Sequence, residues 1–177
     1  PAVFLSVLVP VYNEEENLVV LGEEVSCVLD KLGRSYEVIL IDDGSTDASY
    51  AVMLKLIEKR PNFRLLRLGR NVGQTGALSA GIRHCSGELI ACLDGDLQND
   101  ARDIPAMLAK LAEGYDVVSG WRKDRHDAAL TRVLPSKLAN ALISWITGVP
   151  LHDYGCTLKL YRSQYLKPLR LYGEMHR

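Results

Sequence analysis

The sequence predicts an α/β fold with a mainly parallel central sheet and helices on both faces. Two observations predict it: short apolar runs recur along the chain, and segments with helical periodicity separate them. Strands that alternate with helices of roughly 10–15 residues form parallel sheets, because each helix carries the chain back across the sheet. Ligands of such sheets bind beyond the carboxyl ends of the strands, so candidate site residues are sought there.

The apolar runs and the periodic segments place the elements in order. Strands are predicted at 5–9, 37–41, 63–68, 89–93 and 116–119, and helices at 17–32, 47–59, 73–85 and 104–113. Asn13 is predicted to cap the first helix, with the acids Glu14, Glu15 and Glu16 in its first turn.

The alternation stops after the fifth strand. A charged loop occupies 122–127, and a helix is predicted at 136–146. The apolar stripe of that helix fits either core packing or a surface near a lipid.

Composition indicates one ordinary domain. The 177 residues are enough to bury a core, and a net charge of −1 argues against a general nucleic-acid binder. The four cysteines show no CxxC spacing and are interpreted as free, mostly buried thiols in a reducing compartment. No stretch approaches the roughly 20 apolar residues that cross a bilayer, and no signal peptide is recognised. Because the chain begins without Met and ends without a closing feature, we expect 1–177 to be a single domain truncated at its C-terminus.

The strongest chemical feature is an acidic pair after the fourth strand. Asp94 and Asp96 flank Gly95, and two carboxylates separated by one small residue can converge on one hard cation, Mg²⁺ or Mn²⁺. Gln98 lies two residues further and could join them. Such a cation would neutralise a departing diphosphate. An isolated Asp-x-Asp is often only a solvated loop, but its position after a buried strand favours the metal site.

Two more polar clusters follow predicted strands at the same edge. One carboxylate of Asp42 or Asp43 could bind a base or a ribose, although the segment 42–47 also fits a turn followed by a helix cap. Tyr12 could stack near a base and Glu14 could bond to its edge, or both could simply form a helix entry.

The basic candidates lie in and after the charged loop. Arg122, Arg125 and Arg132 could bind a diphosphate and a phosphate acceptor, because arginine offers a planar fork to oxyanions. A surface arginine is more often only solvated. The sequence contains no GxGxxG, no GxxxxGK[ST] and no HExxH, and its four histidines are too scattered to indicate a metal site.

These residues, in this order, resemble glycosyltransferase family 2, whose members share the Rossmann-like GT-A fold. The matching segments are 9–14, 42–45, 70–73 and 94–98, and the resemblance spans essentially the whole chain. Within the family the chain looks most similar to the polyprenyl-phosphate branch. The pointers are the segments 94–98 and 153–156 together with Arg122, Arg132, Lys159, Tyr161 and Arg162.

The resemblance implies a role for each candidate. Nucleotide contacts fall to Pro10, Tyr12, Glu14, Asp42, Asp43 and Asp94, and metal contacts to Asp94, Asp96 and Gln98. Acceptor-phosphate contacts fall to Arg122, Arg132 and Ser136, and the catalytic set is Asp96, Arg122, Arg132 and Asp153. Asp153 corresponds to a residue near the acceptor, but it also fits an ordinary loop acid.

The implied reaction is an inverting transfer from a UDP- or GDP-linked sugar to undecaprenyl or dolichyl phosphate. The acceptor phosphate is already anionic near neutral pH, so a strong general base is less necessary than for a hydroxyl. The full-length protein is expected to contact the cytoplasmic face of a membrane, whereas this chain itself is expected to be soluble. Two departures are visible: Gly95 stands where relatives often have Ala, which should be harmless, and no Gln-x-x-Arg-Trp motif occurs.

Three other interpretations compete. A family 2 enzyme with a sugar-hydroxyl acceptor would share the donor site and would need a base, for which Asp153 is the candidate. A sugar-nucleotide-binding module without catalysis is disfavoured by the intact Asp94 and Asp96. A phosphatase with an Asp-x-Asp nucleophile would carry the pair after the first strand, whereas here it follows the fourth.

Overall fold

The computed structural model describes residues 2–121, 155–171 and 173. The helix predicted at 136–146 lies outside the described residues. So do the candidates Arg122, Arg125, Arg132, Ser136 and Asp153.

The described chain alternates strands and helices as predicted. The strands are β1 (Leu5–Val11), β2 (Tyr36–Asp42), β3 (Phe63–Arg67), β4 (Leu89–Cys92), β5 (Val117–Ser119) and β6 (Lys159–Arg162). The helices are α1 (Leu18–Asp30), α2 (Ser49–Lys59), α3 (Gln74–His84), α4 (Ile104–Ala112) and α5 (Ser163–Leu166), with a 3-10 turn at Ala101–Asp103 before α4. No helix within these described segments is long and apolar enough to span a membrane.

The strands form one six-stranded sheet in the order β3-β2-β1-β4-β6-β5. β1 pairs in parallel with β2 and β4, and β2 pairs in parallel with β3. β6 is antiparallel to both β4 and β5. The mainly parallel α/β sheet is therefore confirmed. β6 was not predicted, because its four residues begin with Lys159 and end with Arg162 and so do not form an apolar run.

Alternation along β1 supplies a core on each face of the sheet. Leu5, Val7 and Val9 belong to the cluster that contains the buried side of α1, whereas Leu8 belongs to the cluster that contains the buried side of α3. This arrangement confirms helices on both faces. The four cysteines are free thiols and all but Cys27 are buried, as the sequence indicated.

The start of α1 differs from the prediction. Asn13 adopts a left-handed conformation with φ of 56°, and the helix begins only at Leu18. The Asn13 side chain instead accepts a hydrogen bond from the backbone N–H of Thr46 at 2.8 Å. Asn13 was a wrong choice of helix cap because a tertiary contact with the next loop takes its side chain, and the acids after it precede the helix.

The amino edge of the sheet contains a buried carboxylate. Glu37 is only 6% exposed, and its Oε1 accepts hydrogen bonds from Ser6 Oγ at 2.7 Å and from the Ser86 N–H at 2.6 Å. Arg64 Nη1 donates to Oε2 at 2.6 Å. Burial alone would raise the pKa of Glu37, but these donors outweigh it and the pKa lies below its ordinary value.

Candidate active site

Six of the predicted site residues line one open cleft of about 290 Å³ at the carboxyl edge of the sheet. They are Pro10, Tyr12, Glu14, Asp43, Asp94 and Asp96. The cleft forms there because β1, β2 and β4 run in parallel and end at the same edge. The structure thus brings together the two acidic clusters and the aromatic residue that the sequence singled out.

The loops after β1 and β2 are joined by hydrogen bonds between side chains and backbone. The Asn13 N–H donates to Ser45 Oγ at 3.1 Å, and the Glu14 N–H donates to Ser49 Oγ at 2.8 Å. Together with the bond from Thr46 to Asn13, these contacts hold the loop after β1 against the segment after β2. Tyr12 projects from this fixed loop with 46% of its surface exposed, which leaves its ring accessible to a ligand.

Asp42 and Asp43 occupy different positions. Asp42 is fully buried, and its Oδ1 accepts the Ser45 N–H at 2.8 Å. Its Oδ2 lies 3.3 Å from Arg67 Nε, within ion-pair distance but without the alignment of a hydrogen bond. Asp43 lines the cleft, and Asp42 shapes the loop beneath it. A nucleotide contact for either residue stays a prediction.

The Asp43 carboxylate also holds the loop after β3. Oδ1 accepts the Val72 N–H at 2.8 Å, and Oδ2 accepts the Gly73 N–H at 2.9 Å. Asn71, Gly73 and Gln74 consequently line the cleft as well. No chemical role was predicted for this loop, although its position after a parallel strand places it at the same edge.

The acidic pair forms another wall of the cleft. Asp94 Oδ1 accepts a hydrogen bond from Gln74 Nε2 at 2.5 Å, and Asp96 Oδ1 accepts the backbone N–H of Gln98 at 3.1 Å. Leu97, between Asp96 and Gln98, has φ of 61°, a conformation that costs energy in a non-glycine residue and is typical of functional loops. The side chain of Gln98 is exposed and does not line the cleft, so its metal contact stays a prediction.

The donor set of this wall suits a divalent cation that also binds phosphate. In the described part of the chain, no group of three or more His, Cys, Asp or Glu side chains could hold a metal. Asp94 and Asp96, which line the same cleft, would supply two hard oxygen donors and leave the remaining positions to phosphate oxygens and water. Mg²⁺ in nucleotide sites is bound in this way, through one or two carboxylates.

A buried cysteine and a buried lysine lie next to each other on β4 and β6, and the cysteine is close in sequence to the acidic pair. Cys92 at the end of β4 pairs with Lys159 of β6, and Lys159 Nζ donates to the carbonyl of Cys156. Burial raises the pKa of Cys92 to about 12. The thiol therefore stays protonated at neutral pH and does not act as a nucleophile.

Solved structures with the same fold support the assignment of the architecture. The chain aligns over 92% of its length with 58% of glucosyl-3-phosphoglycerate synthase from Mycobacterium tuberculosis, with a TM-score of 0.71 and 19% identity. It also aligns over 96% of its length with 47% of a mannosyltransferase from Pyrobaculum calidifontis in complex with GDP-Man and Mn²⁺, with a TM-score of 0.65 and 21% identity. The GT-A fold that the resemblance implied is confirmed.

Curated relatives are considerably more similar in sequence. Dodecaprenyl-phosphate galacturonate synthase of Rhizobium johnstonii is 47% identical over 98% of this chain and 52% of its own length. Undecaprenyl-phosphate 4-deoxy-4-formamido-L-arabinose transferase of Shewanella sediminis is 44% identical over 94% of this chain and 50% of its own length. The chain spans about half the length of the curated relatives it matches.

The family model described as glycosyl transferase family 2 matches residues 6–170, nearly the whole chain. That range includes all the strands of the described sheet except the first residue of β1, together with the acidic pair. The chain belongs to glycosyl transferase family 2.

Proposed function

We propose that this chain is the catalytic domain of an inverting glycosyltransferase that moves a sugar from a nucleotide-sugar donor to a polyprenyl phosphate. The observation that carries the proposal is the placement of Asp94 and Asp96 in one cleft with Tyr12 and Glu14. The exposed ring of Tyr12 and the carboxylate of Glu14 suit a nucleoside, and the two carboxylates of Asp94 and Asp96 suit a metal-bound diphosphate.

The donor would lie along the cleft from the first loop to the acidic pair. Tyr12 and Glu14 would contact the base, and Asp43 would contact the nucleoside from the neighbouring wall. Asp94 and Asp96 would hold Mg²⁺ or Mn²⁺, and the cation would stabilise the negative charge of the departing diphosphate. The solved mannosyltransferase from Pyrobaculum calidifontis is a complex with GDP-Man and Mn²⁺, which supports this donor chemistry without selecting UDP or GDP here.

The acceptor assignment is supported by the relatives. Both are named for transfer to or synthesis of a polyprenyl phosphate derivative, and both match almost all of this chain at 44–47% identity. Their sugars differ, so the relatives support the acceptor class and not one sugar. A lipid acceptor of this kind implies membrane contact in the full-length protein, for which we propose the cytoplasmic face.

The reaction needs little proton transfer from the protein. An oxygen of the acceptor phosphate forms the bond to the anomeric carbon while the bond from that carbon to the diphosphate oxygen breaks. The electron pair leaves with the nucleoside diphosphate, and attack from the opposite side inverts the configuration. Arg122, Arg132 and Ser136 are proposed to orient the acceptor phosphate, and Asp153 is proposed to lie near it.

A transfer assay tests the proposal. The chain is incubated with UDP- or GDP-linked sugars, Mn²⁺ or Mg²⁺, and undecaprenyl or dolichyl phosphate in detergent, and the lipid product is measured by mass spectrometry. We expect a metal-dependent glycosyl phospholipid. Its rate should fall about 100-fold or more in Asp96→Asn, because about 3 kcal/mol of charge stabilisation is lost. The exposed Asp103→Asn, which lies outside the cleft, is the matched control.

The choice of acceptor distinguishes transfer to a lipid phosphate from transfer to a sugar hydroxyl. A parallel reaction contains oligosaccharide acceptors with free hydroxyls in place of the lipid phosphate. Transfer to the sugar hydroxyl alone, abolished in Asp153→Asn, would refute the lipid-phosphate proposal and favour the polysaccharide alternative.

A further inference from the structure

Both oxygens of Asp94 accept hydrogen bonds from side-chain amides. Gln74 Nε2 donates to Oδ1 at 2.5 Å, and Asn99 Nδ2 donates to Oδ2 at 3.3 Å. An ionised carboxylate only accepts, so each amide must turn its NH₂ group toward Asp94. The carboxylate therefore cannot rotate about its own axis without stretching one of these two bonds.

The backbone before Gln74 and the amide oxygen of Asn99 have further contacts. Gln74 is the first residue of α3 and follows Gly73, whose N–H is bound by Asp43. Asn99 is 6% exposed, and its Oδ1 faces the thiol of Cys156, with Sγ at 3.4 Å. A thiol is a weak donor and an amide oxygen an acceptor, so this contact agrees with the orientation of Asn99 that Asp94 requires.

The contacts of these two amides link segments that adjoin three different strands. Asp43 follows β2, Asp94 follows β4, and Cys156 precedes β6. Gly73 and Gln74 together join Asp43 to Asp94, and Asn99 joins Asp94 to Cys156. Asp96 is held differently: among the described residues its carboxylate accepts the backbone N–H of Gln98 and no side-chain amide.

We infer that Gln74 and Asn99 are positioning residues that preset the Asp94 carboxylate for the divalent cation. The inference rests on the proposed function, which assigns that cation to Asp94 and Asp96. Ligand carboxylates that are hydrogen-bonded by neighbouring groups are already oriented before the metal arrives. Loss of such a neighbour typically weakens metal affinity about 10–100-fold.

The test measures Mn²⁺ affinity directly. Free Mn²⁺ is titrated by electron paramagnetic resonance in the presence of UDP or GDP, for the parent chain, for Gln74→Met and for Asn99→Ala. Methionine keeps the length of glutamine and removes the donor, and Gln74 is only half-buried at a helix start, so the variant is expected to fold. Gln164→Met on α5, outside the cleft, is the matched control.

The expected result is a dissociation constant for Mn²⁺ raised about 10-fold in Gln74→Met and in Asn99→Ala, and unchanged in Gln164→Met. When Asp94 is already replaced by Asn, Gln74→Met should change the dissociation constant for Mn²⁺ less than about 2-fold, because Gln74 acts through Asp94. Urea unfolding without metal measures the free energy of unfolding of each variant. A purely structural effect would lower that free energy and leave the Mn²⁺ affinity of the folded chain unchanged.

Two results overturn the inference, and they differ in what else they refute. If the parent binds Mn²⁺ and Gln74→Met binds it equally well, the positioning role is wrong and the metal site stands. If the parent binds no Mn²⁺ with either nucleotide, the proposed metal site fails and the inference fails with it. Should Asn99→Ala unfold, Gln74→Met decides alone.

Discussion

Gly44 should be irreplaceable because two loops of the cleft meet at its Cα. Its φ is 73°, and a Cβ at this position would lie 2.6 Å from both the carbonyl carbon of Arg70 and the nitrogen of Asn71. Those are backbone atoms, so no side chain can turn away to relieve the overlap. Gly44→Ala must therefore displace the segment that carries the Val72 and Gly73 N–H groups bound by Asp43.

The structure gives the size of the effect. A left-handed conformation costs an L-residue about 1–2 kcal/mol. Loss of the two hydrogen bonds to the Asp43 carboxylate adds about 1.5 kcal/mol each, at the low end for charged acceptors. We therefore expect Gly44→Ala to lower the free energy of unfolding by about 4–5 kcal/mol.

Gly33 provides a matched control for the backbone conformation. Its φ is 60°, but nothing lies within 4 Å of the position its Cβ would take. Gly33→Ala should therefore cost only the conformational part, about 1–2 kcal/mol. Urea unfolding followed by circular dichroism measures both variants. If Gly44→Ala costs no more than Gly33→Ala, the proposed contact between the two loops is refuted.

Three further predictions concern the buried carboxylate, the thiols and the acidic loop. The pKa of Glu37 is lowered in the folded state, so its stabilisation is present above the ordinary value of 4.5 and is lost as pH falls below it. Unfolding measured from pH 7 to pH 3 should show that loss in the parent, and Glu37→Gln, which cannot ionise, should lack this component; parallel curves would contradict the assignment. Ellman's reagent at pH 8 should modify only Cys27 rapidly in the folded chain, since the other three cysteines are buried; rapid modification of Cys92 would contradict its placement. Gly95→Ala should keep metal-dependent nucleotide binding within a few-fold, because the new Cβ would lie 3.3 Å from the Pro10 carbonyl oxygen and a shift of a few tenths of an ångström relieves it; complete loss of binding would show that the loop cannot move.

The sequence predicts the elements of this fold well because parallel strands buried on both faces leave a clear record of apolar residues. Every strand and helix predicted within 2–121 lies within two residues of its position in the structure. β6 was not predicted as a strand, because only its pairing with β4 and β5 identifies it. Its first residue, Lys159, is buried, but a search for runs of apolar residues does not find a buried lysine.

The cleft could be predicted in part for the same reason. Tyr12, Glu14, Asp94 and Asp96 follow strands that share an edge, so their meeting follows from strand order. Gln74 and Asn99 could not be found in this way, because their importance depends on hydrogen bonds to a residue far along the chain or in the same loop. A side chain that supports another through tertiary contact leaves no local signature.

Asn13 illustrates the opposite error. Its sequence position favours a helix cap, and the local rule is sound. In the structure the neighbouring loop offers the N–H of Thr46, and this bond fixes two walls of the cleft instead of one helix end. A tertiary contact between loops can thus override the helix-capping propensity of a residue.

We propose that the cleft binds a nucleoside diphosphate through a divalent cation at Asp94 and Asp96. Thermal unfolding with UDP or GDP, each with and without Mn²⁺, tests it most directly in the parent chain and in Asp96→Ala. At a ligand concentration about 100 times the dissociation constant, binding to the folded state alone should raise the Tm by about 5–10 °C. We expect such a rise with one nucleotide, dependent on Mn²⁺ and absent in Asp96→Ala. A rise of equal size without metal, or one retained in Asp96→Ala, would refute the metal-dependent site.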